Sequence, residues 1–171
     1  GRVYRTEEDL PRWFVHDLVG FNFKTLEFQA ALALPQVADA GAILRARREN
    51  VRGLNERLAG LREWFQLPEY DEAVGYLGYP LVVRPEAPFS RDAWCALLSE
   101  RGIETRPLFR SIPTQQPAYA HLAEAYGGRV PNAEYLGERG FYLGCHQHLT
   151  PEDLDYVADA FADLARAYRA G

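Results

Sequence analysis

The chain has 171 residues, 47% of them hydrophobic and 25% charged, so it can bury a core as one domain or as a piece of a larger protein. Its formal net charge of −5 excludes the basic footprint of a nucleic-acid-binding surface. The sequence contains no apolar run near the roughly 20 residues that a membrane-spanning helix needs, so we expect no membrane contact.

The cysteines and the N-terminal residues predict the compartment. Cys95 and Cys145 are isolated and lack the spacing of a CxxC pair. The opening stretch GRVYRTEEDLPRWF lacks the basic-then-apolar order of a signal peptide. Both features favour a reduced, cytoplasmic compartment.

After an irregular segment over residues 1–24, the first part of the chain is predicted to be helical. Thr25 is a suitable N-cap for a first helix, which we expect to end near Pro35 because proline lacks the N–H that continues the hydrogen-bond ladder. A second, amphipathic helix is predicted from about 36 to 58, with Gly60 as its stop.

Two strands on either side of a helix are predicted in the middle of the chain. Residues 74–84, VGYLGYPLVVR, are apolar and rich in aromatic and β-branched residues, which is typical of a strand. Ser90 caps a helix over 90–101 that Gly102 ends, and residues 103–109 form the second strand. We expect both strands in one sheet, with this helix and a final helix packed on it.

The remaining predicted segments are short, except for the last helix. They are a strand or loop at 64–70, a loop at 111–119, helices at 118–126 and 131–139, a strand at 141–144 and a polar loop at 145–150. Thr150 and Pro151 then open a helix over about 150–168, with acidic residues early and arginines late. This order predicts an α/β fold, a small sheet with packed helices.

The stretch GFNFK places candidate anion-binding groups before the first helix. Gly20 allows close approach of the backbone, Asn22 can donate and accept hydrogen bonds, and Lys24 is the only lysine of the chain. Just before a helix N-terminus, such groups suit a phosphate. A plain turn and helix cap is the alternative interpretation.

The loop CHQHLT contains groups that bind metals or act as nucleophiles in other settings. Cys145, His146 and His148 would supply three poor ligands, with no second pair nearby in sequence. A Cys145 nucleophile beside His146 lacks an evident third member. We therefore expect satisfied or exposed histidines here, and no metal.

The stretch TRPLFRSIPTQQPAY is a third polar segment, stiffened by proline. It contains Arg106, Arg110, Thr114, Gln115 and Gln116. Arginine binds phosphate well, whereas a surface loop with solvated polar groups is the alternative. Taken together, the residues predict an anionic small ligand and do not identify a reaction.

Five sequence motifs resemble those of a known protein family. In chain order they are HDLVGFNFKTLEFQAAL, AILRARREN, GIETRPLF, QQPAY and GFYLGCHQHLTPEDLDYV. Together they resemble the C-terminal half of the DegT/DnrJ/EryC1/StrS family of sugar aminotransferases, pyridoxal-phosphate enzymes of the aspartate aminotransferase fold (fold type I). The resemblance implies the small domain of that fold, and amino transfer from an amino donor to a nucleotide-linked ketosugar in polysaccharide, glycan or antibiotic-sugar biosynthesis.

The resemblance also implies roles for individual residues. Asn22 matches the asparagine that reaches the phosphate of pyridoxal 5'-phosphate bound mainly by the neighbouring subunit, which implies a homodimer with shared active sites. The implied substrate contacts are His16, Lys24, Arg106, Thr114 and Gln115. Lys24 stands where many members have arginine, so it keeps the charge but loses the bidentate fork.

The catalytic groups of the family are expected outside this chain. The Schiff-base lysine, the acid that pairs with the pyridine nitrogen and the ring-stacking aromatic lie in the family's N-terminal large domain, and Lys24 does not match that lysine. We therefore expect no catalytic residue here and no activity from the chain alone. Residues 1–35 would be a crossover segment and first helix from the missing large domain, and residues 36–171 the C-terminal small α/β domain.

Two alternatives to the aminotransferase stay open. In a sister 3-dehydratase of deoxysugar synthesis a histidine replaces the catalytic lysine, so this half of the chain does not separate the two activities. The histidine spacing of WFVHDLVGFN favours the aminotransferase. The alternative of another class is a non-catalytic domain used for dimerisation or binding.

Overall fold

The computed structural model describes residues 26–108 and 116–170, which fall into two units. In the described part, the larger unit comprises residues 26–106 and 141–170, and the smaller comprises 107–108 and 116–140. The division between residues 35 and 36 expected from the sequence stays a prediction.

Six helices are present in the described residues. The larger unit holds α1 (Glu27–Ala38), α2 (Ala40–Arg57), α3 (Arg91–Glu100) and α6 (Pro151–Ala170); the smaller holds α4 (Ala120–Tyr126) and α5 (Pro131–Arg139). Short 3₁₀ turns lie at Ala59–Leu61 and Pro117–Tyr119. All the predicted helices are therefore found; the helix at 131–139 has the predicted bounds, and the others have shifted ends.

In the part of the chain that the structure describes, four short strands form one sheet. They are β1 (Phe65–Gln66), β2 (Gly78–Val83), β3 (Thr105–Pro107) and β4 (Gly140–Gly144), in the spatial order β1-β2-β4-β3. β1 pairs antiparallel to β2, with Phe65 opposite Val83. The strands predicted at 74–84 and 103–109 share one sheet as expected, although both are shorter in the described residues and β4 lies between them.

The first helix differs from its prediction at both ends. It does not end at Pro35 but continues to Ala38, because proline removes only its own N–H while its carbonyl still accepts from Asp39 at 3.1 Å. Its N-cap is Leu26, whose backbone N–H donates to the Gln29 side chain at 2.7 Å. The helix thus begins one residue later than a Thr25 cap would place it.

Both ends of α3 match the signals in the sequence. The Ser90 hydroxyl accepts from the Ala93 N–H at 3.2 Å, which satisfies one of the free donors of the first turn. At the other end Gly102 adopts a φ of +72°, and the N–H of Ile103 donates to the Leu98 carbonyl at 3.0 Å. This is the Schellman arrangement, for which glycine is the usual residue because it has no Cβ to strain.

An aromatic cluster around Phe65 forms the centre of the larger unit. The Phe65 ring centroid lies 5.1 Å from that of Trp94, 5.6 Å from Phe161 and 6.3 Å from Phe141. Trp94 lies on α3, Phe161 on α6 and Phe141 on β4, and all are fully buried. The packing of α3 and α6 on the sheet, expected from their apolar positions, is confirmed.

A buried polar contact attaches β2 to α2. The Tyr79 hydroxyl donates to the Asn55 side-chain oxygen at 2.9 Å, and the Asn55 amide donates to the Pro68 carbonyl at 3.0 Å. Burial raises the pKa of Tyr79, with Arg62 acting weakly in the opposite direction, so the phenol stays protonated and keeps its role as donor.

We expect Phe161→Ala to lower the free energy of unfolding of the chain by about 3–5 kcal/mol, because it removes a buried ring and leaves a cavity between α3, α6 and β1. Chemical denaturation measures this change. Asp159→Ala, an exposed position on the same helix, is the matched control and should stay within about 0.5 kcal/mol. Equal effects of the two substitutions would contradict the central position of the cluster.

Candidate functional site

Arg106 is the predicted substrate contact that lies within the described residues. It stands on β3, and its guanidinium donates to the Glu104 carboxylate at 3.0 Å. Both side chains are more than half exposed, 56% for Arg106 and 76% for Glu104. An exposed pair of this kind is worth at most about 1 kcal/mol, so Arg106 can exchange Glu104 for an anionic ligand at little cost.

Arg106 lines a cleft of about 390 Å3 in the larger unit, which we call the Arg106 cleft. Its walls come from the turn after α3, from β3 and β4, and from the start of α6. Charged or polar side chains on the lining are Glu104, Arg106, Tyr142, His146, Asp153 and Tyr156. Acidic and basic groups are thus mixed, so the cleft alone is not a strongly cationic phosphate site.

The start of α6 fixes one wall of the Arg106 cleft. The Thr150 N–H donates to the Asp153 carboxylate at 2.8 Å, and the Thr150 hydroxyl donates to the same oxygen at 3.1 Å. In return, the Asp153 N–H donates to the Thr150 hydroxyl at 3.3 Å. These bonds lower the pKa of Asp153, chiefly through the backbone N–H of Thr150 and then its hydroxyl, with a smaller contribution from the charge of His146.

A buried asparagine of α2 hydrogen-bonds to the backbone of the loop CHQHLT. The Asn50 amide on α2 donates to the His146 carbonyl at 2.8 Å and to the Cys145 carbonyl at 3.4 Å. His146 and His148 are exposed. The prediction did not single out Asn50, although it directly precedes Val51 and lies four residues before Leu54, two apolar positions of the same helix.

Cys145 lacks the environment of an activated nucleophile. It is fully buried, and its thiol contacts the Tyr76 carbonyl at 3.7 Å. Burial raises the pKa of the Cys145 thiol, while Arg47 acts in the opposite direction. Arg47 donates to the carbonyls of Tyr76 and Leu77 at 3.1 and 3.0 Å.

Residues 26–108 and 116–170 contain no group of three or more His, Cys, Asp or Glu side chains placed to hold a metal ion. None of their helices is both long enough and apolar enough to cross a bilayer. That the protein uses no metal stays a prediction.

The other predicted site residues fall outside the described residues. They are His16, Asn22, Lys24, Thr114 and Gln115. Among the predicted site residues, the structure therefore locates Arg106. Gln116, next in sequence, is described and is buried at the start of the 3₁₀ turn Pro117–Tyr119.

Comparison with known proteins decides the family. The sequence model of the DegT/DnrJ/EryC1/StrS aminotransferase family matches residues 5–162, which is most of the chain. The chain belongs to the DegT/DnrJ/EryC1/StrS aminotransferase family. The resemblance stated from the motifs is thereby confirmed.

Two family relatives carry different activities in their names. A dTDP-4-dehydro-2,6-dideoxy-D-glucose 3-dehydratase from Saccharopolyspora spinosa is 33% identical over 85% of this chain and 32% of its own length. A GDP-perosamine synthase from Caulobacter vibrioides is 33% identical over 86% of this chain and 39% of its own length. The chain thus spans well under half the length of these curated relatives.

Solved structures confirm the fold. DesV from S. venezuelae, in complex with a ketimine intermediate, aligns with a TM-score of 0.70 at 25% identity, over 89% of this chain and 40% of its own. A GDP-4-keto-6-deoxymannose-3-dehydratase with a trapped PLP-glutamate geminal diamine aligns with a TM-score of 0.64 at 19% identity, over 93% and 45%. The fold is therefore that of the pyridoxal-phosphate-dependent DegT/DnrJ/EryC1/StrS enzymes, as expected.

The described residues do not by themselves fit pyridoxal phosphate. They contain no lysine to form an imine, since the single lysine of the sequence is Lys24. The Arg106 cleft offers one arginine, already paired to Glu104, beside the carboxylate of Asp153. We assign no step of the family's chemistry to these residues.

We expect the stability that the N-terminal cap gives to α6 to depend on pH through the carboxyl group of Asp153. The pKa of Asp153 is lower in the folded state than in the unfolded state. The ionised Asp153 carboxylate therefore stabilises the fold at pH values above the unfolded pKa, near 3.9, and this stabilisation is lost as the pH falls through the folded pKa. Thr150→Val should raise the pKa of Asp153 yet leave it below its ordinary value, because the backbone N–H still donates. Carbon-detected NMR titration measures both values, and an unchanged pKa in Thr150→Val would contradict a role for the hydroxyl.

Proposed function

We propose that the chain is the C-terminal part of a pyridoxal-phosphate-dependent enzyme that transfers an amino group to a nucleotide-linked ketosugar. The observation that carries this proposal is the family match over residues 5–162, combined with relatives of whose own length the chain spans only 32–39%. The cofactor supplies the electron sink for the reaction, and the imine-forming lysine comes from the part of the protein outside this chain. The amino donor would be an amino acid such as glutamate.

Named relatives support the substrate class and leave the nucleotide open. One name contains dTDP and the other GDP. A diphosphate linked to a sugar carries the negative charge that Arg106 and Lys24 suit. We place the enzyme that acts on such a carrier-bound sugar in the cytoplasm, the compartment that its isolated cysteines favour.

The roles of single residues follow from the resemblance and from their chemistry. Asn22 would donate to the cofactor phosphate of a neighbouring subunit, in a homodimer with shared sites. His16, Lys24, Arg106, Thr114 and Gln115 would contact the nucleotide sugar. Arg106 has support of its own, because it is exposed, lines a cleft and forms an exposed ion pair with Glu104.

A nucleotide-sugar 3-dehydratase is the second candidate. The 3-dehydratase relative has the same 33% identity to the chain as the perosamine synthase, over almost the same coverage. The two reactions differ in their products: one replaces a carbonyl oxygen by an amine, and the other removes a hydroxyl group as water.

Assay of the full-length protein with a nucleotide-linked 4-ketosugar and glutamate tests the proposal. We expect an amino sugar, detected by mass spectrometry, together with 2-oxoglutarate. The 171-residue chain, added alone at the same concentration, should give neither product because it lacks the lysine. Loss of water from the sugar would favour the dehydratase, and turnover by the isolated chain would contradict the division of the site.

We expect Asn22→Ala in the full-length protein to weaken pyridoxal phosphate binding by about tenfold to a hundredfold. This corresponds to one hydrogen bond to a charged group, about 1.5–3 kcal/mol. Spectroscopic titration of the apoenzyme measures the dissociation constant. Asn132→Ala, at an exposed asparagine of α5, is the matched control and should have no effect. Unchanged affinity in Asn22→Ala would favour the plain-turn interpretation of GFNF.

A further inference from the structure

The wall of the Arg106 cleft that contains His146 is fixed by hydrogen bonds to its backbone. The His146 carbonyl accepts from the Asn50 amide at 2.8 Å and from the Leu149 N–H at 3.2 Å, and the second bond closes a turn. Asn50 is buried, whereas the side chain of His146 is exposed. A buried group of α2 thus holds the backbone of a residue whose ring lies in the cleft lining.

The imidazole of His146 supplies a hydrogen-bond donor to the cleft. Its Nδ1 accepts from the backbone N–H of His148 at 3.3 Å. In the neutral ring this bond leaves the proton on Nε2, and the protonated ring carries a proton there as well. Nε2 is therefore a donor in both states of the ring.

Asp153 supplies an acceptor to the same cleft. Both bonds that its carboxylate receives from Thr150 end on Oδ2, at 2.8 and 3.1 Å, so Oδ1 takes no part in the cap. The N–H and then the hydroxyl of Thr150 lower the pKa of this carboxyl most, and the charge of His146 lowers it further. The imidazole and the carboxylate are thus close enough for their charges to interact.

A donor beside an acceptor suits a hydroxyl group better than a phosphate. A hydroxyl both donates and accepts hydrogen bonds, whereas an ionised phosphate only accepts and is repelled by a carboxylate. Two aromatic residues, Tyr142 and Tyr156, also line the cleft, and the Tyr156 hydroxyl donates to the Arg101 carbonyl at 2.9 Å. Such apolar surface with a few polar groups is typical of small-molecule sites. The lining therefore matches a sugar, with Arg106 as the cation beside it.

We propose that His146 and Asp153 form a hydroxyl-binding subsite for the nucleotide sugar, next to the diphosphate contact of Arg106. The sugar oxygen accepts from Nε2 of His146, and the sugar hydroxyl donates to the carboxylate of Asp153. Asn50 is the positioning residue that fixes the loop carrying His146. This inference rests on the proposed function and adds two substrate contacts to it. The hydroxyl belongs either to the pentose of the nucleotide or to the hexose.

Calorimetric titration of the full-length protein tests the subsite without an activity assay. The probes are GDP, dTDP, GDP-mannose and dTDP-glucose. For the sugar conjugate that the wild-type protein binds more tightly, His146→Phe should weaken binding about threefold to tenfold, the loss of one hydrogen bond between neutral groups. Asp153→Asn should weaken it about tenfold or more, because asparagine keeps one oxygen for the cap but removes the charged acceptor.

Two further variants separate the hydrogen bond from a general effect on the loop. His146→Gln should restore the affinity, because its amide nitrogen replaces Nε2 as the donor. His148→Phe is the matched control, since His148 is exposed in the same loop and lies outside the described lining of the cleft. Unchanged affinity in His146→Phe or Asp153→Asn, or an equal loss in His148→Phe, would overturn the proposal.

The nucleoside diphosphates identify the source of the hydroxyl. If His146→Phe weakens the binding of the diphosphate and of its hexose conjugate equally, the hydroxyl belongs to the pentose, and weakening of the conjugate alone assigns it to the hexose. No binding of any probe by the wild-type protein would overturn the subsite together with the proposed function. The expected losses of affinity without any amino transfer would refute the proposed reaction alone.

A double-mutant cycle tests the positioning role of Asn50. Asn50→Asp keeps the size of the side chain but removes the amide that donates to the His146 carbonyl, so we expect a loss of affinity similar to that in His146→Phe. In the His146→Phe background the same substitution should cause no further loss, because Asn50 acts through His146. Equal losses in the two backgrounds would show a general structural effect and overturn the positioning role. Should Asn50→Asp not fold, the variants at the exposed residues His146 and Asp153 still decide the subsite.

Discussion

Burial of the Phe65 ring is the constraint on which the larger unit depends. β1 is only two residues long, so its backbone pairing to β2 is too short to fix its position. Packing against rings from α3, α6 and β4 does so instead. Trp94 and Phe161 also contact each other, at 5.4 Å, and so the same cluster joins the two helices.

The aromatic cluster also affects the width of the Arg106 cleft, although it does not line the cleft. One wall of the cleft is the turn that follows α3, and another is the first turn of α6. Neither wall contains a residue of the aromatic cluster. Their separation is nevertheless determined by how Trp94 and Phe161 pack, because each helix is rigid between its core residues and its end. The positions of binding residues on short loops and helix ends are thus fixed by the packing of the apolar interior.

The sequence predicted the ends of single helices better than it predicted the order of strands in the sheet. Ser90 and Gly102 mark the ends of α3 correctly, because caps and stops act within a few residues. The insertion of β4 between β2 and β3 depends on contacts far apart in sequence, which periodicity does not encode. Pro35 misled the prediction because a single proline costs a helix one hydrogen bond, which flanking turns can absorb.

The candidate site was predictable only in part, for a related reason. The type and spacing of Arg106 pointed to an anion, but Asn50 holds residues 95 and 96 positions away in the chain. The only local sign of such a long-range hydrogen bond is a polar residue next to the apolar face of a helix. The reaction itself came from the resemblance and the family match, since its lysine is expected in another part of the protein.

The strand order has a consequence for solubility. The two outer strands, β1 and β3, are two and three residues long, and the last residue of β3 is Pro107, which has no N–H to donate. A foreign strand approaching either margin would find too few free backbone groups to form a ladder. The sheet is thereby protected against growth into larger β-assemblies.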